Sequence, residues 1–165
     1  MKDSEKKEMN LDGIPDPRTF PLNVKKLTLT TGYLDWKDMK TIGLLPNLEV
    51  LKVRYNCFSG PVWETCEEGF CNLKFLELCD LDIQQWVSSD SDHFPNLQFL
   101  MVIKCRLLHG IPLSFGYSLT LQKISVNHSS NWAEESAKEI QQLQLEMVAR
   151  DQLEILIADN VDYNG

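Results

Sequence analysis

The apolar residues of LPNLEVLKVRYNCF, residues 45–58, are spaced in a way that fits neither an amphipathic helix nor a half-buried strand. If Leu48, Leu51, Val53, Asn56 and Phe58 are taken as anchors, the spacing reads L-x-x-L-x-L-x-x-N-x-L. One such match in an apolar-rich chain is weak evidence. The spacing constrains the fold only if it recurs.

The same spacing recurs at a nearly constant interval. It fits VKKLTLTTGYL (24–34), NLKFLELCDLDI (72–83) and NLQFLMVIKCRL (96–107), and more loosely LQKISVNHSSN (121–131) and LEILIADNVDY (153–163). The second anchors lie 24, 25, 24, 24 and 32 residues apart; they are Leu27, Leu51, Leu76, Leu100, Ile124 and Leu156. A long fixed period with one internal spacing predicts a leucine-rich-repeat solenoid.

Each repeat should contribute one short strand followed by a turn. The two central anchors, such as Leu51 and Val53, point inward because alternate strand residues share a face. The ninth position then satisfies backbone groups inside the turn. We therefore predict that Asn56 and Cys105, which hold this position, are buried.

The predicted fold class is α/β. Residues 20–165 should form one curved arc of about six repeats, with short parallel strands on the concave face and helices or irregular loops on the convex face. Residues 1–19 are polar and end in a proline-containing stretch, which indicates a disordered leader or linker.

The outer segments differ in kind. DWKDMKTIGLL, residues 35–45, predicts one or two helical turns. The segments around Trp63 and Trp86 look irregular, each with its tryptophan packed under the return chain. NWAEESAKEIQQLQLEMVAR predicts a long helix at about 132–150, with Asn131 as N-cap and Glu134 three residues later.

Composition and motifs argue against several classes of function. The net charge of −8 argues against a nucleic-acid partner. Five cysteines without a C-x-x-C pair indicate a reducing compartment, and with no signal peptide or membrane-span pattern they favour a cytoplasmic protein without bound metal. No catalytic or nucleotide-binding motif is present, and His93, His109 and His128 are separated in sequence, so we expect no enzyme, cofactor or catalytic residue.

The concave face is then the candidate functional surface, because repeat proteins bind ligands there. The strand residues that flank the anchors change from basic and polar to apolar along the chain. The predicted protein-binding residues are Val50, Lys52, Arg54, Phe75, Glu77, Phe99, Met101 and Ile103. The alternative is that the apolar ones are sheet-forming residues, or are covered by a neighbouring segment.

Several segments resemble a known family. FPLNVKKLTLTT, GLLPNLEVLKV, GFCNLKFLELCDLDIQQW and HFPNLQFLMVIKCRLLHGIP, followed by IQQLQLEM, are similar to the C-terminal leucine-rich repeats of plant intracellular nucleotide-binding disease-resistance receptors. The nearest group is the coiled-coil, late-blight-resistance-like proteins of nightshades. The resemblance covers roughly residues 20–150.

The resemblance implies a module that senses pathogen products or restrains an adjoining ATPase module. The implied partner is a protein: a pathogen effector, a guarded host protein, or the nucleotide-binding domain of a parent receptor. This sequence has no P-loop and no coiled-coil segment, so ATP binding is not carried over to it. The alternative function is a repeat scaffold or substrate adaptor unrelated to immunity, although residues 1–19 hold no F-box.

Overall fold

The computed structural model describes residues 7–8, 21–30, 32, 34–65, 67–88 and 93–158. This part of the chain is a mixed α/β structure with two α-helices, α1 (Met39–Gly43) and α2 (Asn131–Met147), and two 3-10 helices, Trp36–Asp38 and Leu113–Tyr117. Its strands are β1 (Lys7–Glu8), β2 (Lys26–Leu29), β3 (Leu34–Asp35), β4 (Val50–Arg54), β5 (Phe58–Ser59), β6 (Val62–Glu64), β7 (Phe75–Cys79), β8 (Gln85–Val87), β9 (Phe99–Ile103), β10 (Lys123–Asn127) and β11 (Glu154–Ala158).

Seven of these strands form one parallel sheet, in the order β1-β2-β4-β7-β9-β10-β11. The order follows the chain, so each strand pairs with the equivalent strand of the next repeat. Two small parallel sheets, β3–β5 and β6–β8, lie in the connecting segments. A parallel pair needs a long crossover connection, and the period of about 24 residues supplies it.

The predicted anchor pairs form the core under the main sheet. Leu27, Leu51, Leu76, Leu100 and Ile124 lie in one register and are buried, as are Leu29, Val53, Leu78, Val102 and Val126 in a second. Burying one such side chain stabilises a fold by about 1.5–3 kcal/mol before entropy is counted. This part of the sequence prediction is confirmed.

In β11, the last strand of the sheet, the predicted inward and outward residues are exchanged. The leucine spacing places Leu156 and Ala158 inward, but Ile155 and Ile157 align with Ile124 and Val126 and pack against the core. Leu156 is 44% exposed. A shift of one residue moves every side chain of a strand to the other face, and the connection after α2 is one residue shorter than the leucine spacing requires.

The turn after β4 also corrects the prediction. Cys105 is buried at its turn, and its Sγ lies 3.6 Å from the Leu78 carbonyl oxygen that it donates to. Asn56 is exposed, and Cys57 is buried instead. The turns after β7, β9 and β10 have one left-handed residue before the buried position, such as Lys104, whereas this one has two, Tyr55 and Asn56. The extra residue explains the 25-residue interval and moves the buried position to Cys57.

An asparagine before each of the strands β4, β7 and β9 joins neighbouring repeats. The side-chain Nδ2 of Asn47 donates to the Leu22 carbonyl, that of Asn72 to Pro46, and that of Asn96 to Cys71, each at 2.6 Å. Thr120 takes the place in the next repeat, with its Oγ1 3.3 Å from the equivalent carbonyl oxygen of Pro95 and 2.8 Å from that of Leu97. The recurring N-L dipeptide is therefore a hydrogen-bonding position as well as an anchor.

The tryptophans of the connecting segments form a continuous stack. Trp63 is stacked between Trp36 and Trp86, with ring centroids at 5.3 and 5.0 Å. Phe58 extends the stack beyond Trp36, and Phe115 contacts Trp86 edge-on. The predicted helical turns at 35–45 and the packed tryptophans are present, but the segments expected to be irregular hold strands β6 and β8. The ring stacking and strand pairing occur in the same register, Trp63 opposite Trp86.

Helix α2 is present with slightly different ends. Its N-cap is Ser130, whose Oγ accepts a hydrogen bond from the Ala133 backbone at 3.1 Å, so Asn131 is the first helical residue. The helix ends at Met147. Fully buried Gln144 donates to the carbonyls of Phe115 and Ser118, which fastens α2 to the 3-10 helix Leu113–Tyr117.

Two residues of the predicted leader, Lys7–Glu8, pair in parallel with β2. The rest of the segment 1–19, with its predicted disorder, lies outside the described residues. Within the described ranges, no helix is long and apolar enough to cross a membrane.

Candidate protein-binding face

The strand residues that alternate with the buried anchors point away from the core and form what we call the open face of the main sheet. Strand pairing aligns them in three rows. The first row runs Lys26, Val50, Phe75, Phe99, Lys123, Glu154; the second Thr28, Lys52, Glu77, Met101, Ser125, Leu156; the third Arg54, Cys79, Ile103, Asn127, Ala158. Neighbouring members of a row lie on strands about 4.8 Å apart.

An apolar groove crosses the middle and the C-terminal half of this face. Its volume is about 360 Å³, and it is lined by Phe75, Phe99, Leu100, Met101, Lys123, Ser125 and Leu156. Phe99 is 36% exposed, and Phe75 and Met101 are partly buried. Aromatic and methionine side chains that remain accessible on a sheet supply contact area for a partner and are enriched at interfaces.

A buried ion pair borders the groove. Arg54 Nε donates to Glu77 Oε1 at 2.6 Å, and the Glu77 side chain is only 6% exposed. The hydrogen bond to Glu77 is the main reason that the Arg54 pKa is raised above its ordinary value. Arg54 bonds Glu77 through Nε alone, and within the described residues its terminal guanidinium nitrogens make no further hydrogen bond.

The other cations of the open face are less constrained. Lys52 Nζ lies 5.7 Å from the centroid of the Phe75 ring, a cation–π contact. Lys123 Nζ lies 3.7 Å from Glu154 Oε2, a partly exposed pair that contributes little stability. Lys26 is exposed, and within the described ranges neither it nor Lys52 has an ion-pair partner.

The structure brings the eight sequence-predicted residues together on three adjacent strands, β4, β7 and β9. Seven retain accessible surface, but Glu77 is buried, so it serves to orient Arg54 rather than to meet a partner directly. That these residues bind a protein stays a prediction.

The predicted binding residues omit the far wall of the groove, which is formed by Lys123, Ser125 and Leu156. The strand spacing places Lys123 and Ser125 on the concave face, but the predicted binding residues all belong to the strands of the three preceding repeats. Leu156 was missed because the leucine spacing shifts the last strand by one residue. A signal was present, since Ile155 and Ile157 are a β-branched alternating pair suited to the core side of a strand.

Cys79 lies in the third row of the open face, whereas Cys57 and Cys105 are buried at turns. Burial raises the pKa of Cys57 to about 11 and that of Cys105 to about 12. His93 is buried rather than at the surface, with its Nδ1 2.8 Å from Thr65 Oγ1. In the described part of the chain, no cluster of three or more His, Cys, Asp or Glu residues is arranged to hold a metal ion.

Comparison with known proteins shows which proteins this chain resembles in sequence. No protein-family model matches the chain. It is 39% identical over 127 residues to "Putative late blight resistance protein homolog R1B-13" of Solanum demissum and 37% identical over 126 residues to homolog R1B-23 of the same species, covering 75% of this chain in each case. Homolog R1B-12 is 34% identical over 137 residues, or 82% of the chain.

The chain is therefore a relative of plant disease-resistance proteins. Among these, it is similar to the late blight resistance protein homologues, and the resemblance drawn from its sequence is confirmed. The matched region spans about a tenth of the length of those relatives.

Proposed function

We propose that this chain is a leucine-rich-repeat solenoid that binds proteins through its open face, as the sensor or autoinhibitory part of a plant immune receptor. The repeating buried anchor pairs, the parallel sheet in chain order and the similarity to late blight resistance protein homologues support the fold and the setting. The partner is a pathogen effector, a guarded host protein or the nucleotide-binding domain of a parent receptor, met in the cytoplasm.

The observation that carries the proposal is the accessible apolar row across β4, β7 and β9. Val50, Phe75 and Phe99 are register partners that keep exposed surface, beside fully buried leucines of the same strands. A contiguous patch of accessible apolar side chains on a protein marks an interaction surface. The side chains of the open face make apolar contacts and ion pairs, which suit binding rather than catalysis. We therefore propose a role that is not enzymatic.

The test compares two apolar-to-acidic variants in different parts of the molecule. Phe99→Glu alters the open face, and Val87→Glu alters β8, where Val87 has similar exposure. The tagged whole chain and both variants would be expressed in nightshade leaves, cross-linked and purified, and the bound proteins quantified by mass spectrometry. Circular dichroism and melting temperature of each variant would establish that it is folded.

We expect Phe99→Glu to lose defined partners about tenfold or more while Val87→Glu keeps them. Equal recovery by both folded variants would remove the open face from the function. Recovery of ubiquitin-ligase subunits in place of defence proteins would favour the adaptor alternative, whereas an unfolded Phe99→Glu would show that Phe99 belongs to the core.

A further inference from the structure

The charges of the open face are distributed unlike those of the chain as a whole. The chain has a net charge of −8. The three rows of the open face nevertheless hold four cations, Lys26, Lys52, Arg54 and Lys123, against two carboxylates, Glu77 and Glu154. A local excess of one sign attracts partners of the opposite sign and disfavours others.

Three of the four cations lie on the N-terminal side of the groove. Lys26 is on β2, and Lys52 and Arg54 are on β4, whereas the groove is lined by residues of β7, β9, β10 and β11, with Lys123 among them. Two strand spacings, about 10 Å, separate the Lys52 position from the Met101 position in the same row. The open face is therefore basic at its N-terminal side, and the apolar groove with Lys123 in its wall lies beyond.

The two cations of β4 suit carboxylate recognition in different ways. Glu77 holds Arg54 through Nε, which leaves its terminal nitrogens to donate to an incoming carboxylate. Lys52 has no ion-pair partner in the described part of the chain and rests over Phe75, at the edge of the groove. A carboxylate placed between them would lie about 10 Å from an apolar side chain seated in the groove at Met101.

We propose that the open face binds a protein segment with acidic residues beside an apolar anchor, the carboxylates on Lys52 and Arg54 and a leucine or aromatic side chain in the groove. An extended segment covers about 10 Å in three residues. The recognised motif therefore has its anchor about three residues from an Asp or Glu. This inference rests on the proposed function, since it specifies the partner chemistry of the same face.

The test uses a phage-displayed library of short random peptides selected on the whole, folded chain. Enriched peptides would be synthesised with a fluorescent label, and their affinity measured by fluorescence polarisation at low and high salt. The variants are Lys52→Glu for the charge, Phe99→Glu for the groove, and Lys40→Glu as the matched control. Lys40 is exposed on α1, has no ion pair within the described ranges, and undergoes the same change of charge.

We expect enriched peptides to carry Asp or Glu about three residues from a Leu, Phe or Trp. Their affinity should fall with added salt and by about tenfold in Lys52→Glu, and stay unchanged in Lys40→Glu. Phe99→Glu should also lose binding of the same peptides.

The two ideas fail differently. Neutral or basic peptides that need Phe99 but tolerate Lys52→Glu would overturn the acidic motif and leave the open face as the contact surface. Peptides that bind all three folded variants equally would overturn the proposed function as well. The absence of any enriched peptide would overturn the motif, because a short linear segment is what the proposal requires.

Discussion

Arg54 and Glu77 lie on adjacent strands of the main sheet and form its most buried ion pair among the described residues, with Nε and Oε1 2.6 Å apart. Removing the guanidinium would leave a carboxylate that is only 6% exposed without its partner. An unpaired buried charge costs more than the pair contributes, because its desolvation is no longer offset.

Arg54→Met should therefore lower the free energy of unfolding by about 1–3 kcal/mol, a range reduced for the partial exposure of Arg54. The double variant Arg54→Met with Glu77→Met should recover most of the loss. Urea denaturation of the single and double variants measures both. If the double variant is as unstable as the single one, the ion pair is not the cause of the loss.

The aromatic stack should be the most sensitive part of the core. Trp63 is 1% exposed and stacked on both faces, so Trp63→Ala should cost about 3–5 kcal/mol through lost burial and an unfilled cavity. Trp132, 60% exposed on α2, is the matched control, and Trp132→Ala should cost less than about 1 kcal/mol. Thermal melting followed by far-ultraviolet circular dichroism would rank the two, and similar losses would contradict the stack.

The repeat period and the buried anchors could be predicted because both are read from the intervals between apolar residues in the sequence. Alternation within a strand then follows from backbone geometry. The prediction failed where one residue was gained or lost. The additional left-handed residue at Asn56 and the shortened connection before Ile155 leave the apolar pattern ambiguous, and a single step reverses the face of a strand.

The candidate site was predicted only in part for a similar reason. Alternation placed Phe75, Phe99 and Met101 on the open face. It could not show that Glu77 is buried by its neighbours, because burial on an open face depends on how long side chains fold over one another. The same limit applies to the tryptophan stack, since pattern reasoning predicted packed tryptophans without the register that joins them.

The asparagines before β4, β7 and β9 should contribute to stability by joining neighbouring repeats. Asn72 donates to the Pro46 carbonyl at 2.6 Å, so Asn72→Ala should lower the free energy of unfolding by about 0.5–1.5 kcal/mol. Asn131→Ala is the control, since Asn131 is exposed at the start of α2 and Ser130 supplies the cap. Chemical denaturation should show a cost at Asn72 alone. Equal effects would mean that the inter-repeat bond contributes nothing measurable.

The contact between α2 and the neighbouring 3-10 helix depends on a glycine. A Cβ at Gly116 would lie 2.6 Å from the Cβ of Leu143, closer than two carbon atoms can approach without a shift. Gly116→Ala should therefore destabilise the fold by about 1–3 kcal/mol. Leu143→Ala keeps the β carbon at 2.6 Å, so it should not relieve the main clash in the same background. A nearly neutral Gly116→Ala, measured by thermal melting, would contradict the clash.

The buried thiols predict a loss of stability at high pH. Burial raises the pKa of Cys57 from 9.0 to about 11 and that of Cys105 from 9.0 to about 12. Below the unfolded pKa of 9.0 both thiols are protonated in the folded and unfolded states alike, so their contribution to stability is fully present. Above it the unfolded chain releases protons that the folded chain retains, and stability falls until the folded pKa is passed.

Each thiol should lower the free energy of unfolding by up to about 1.4 kcal/mol per pH unit in this window. Urea titrations between about pH 8 and pH 11 should therefore show a steeper decline for the natural chain than for Cys57→Ala or Cys105→Ala, and a matching slope would show that these thiols ionise freely in the folded state.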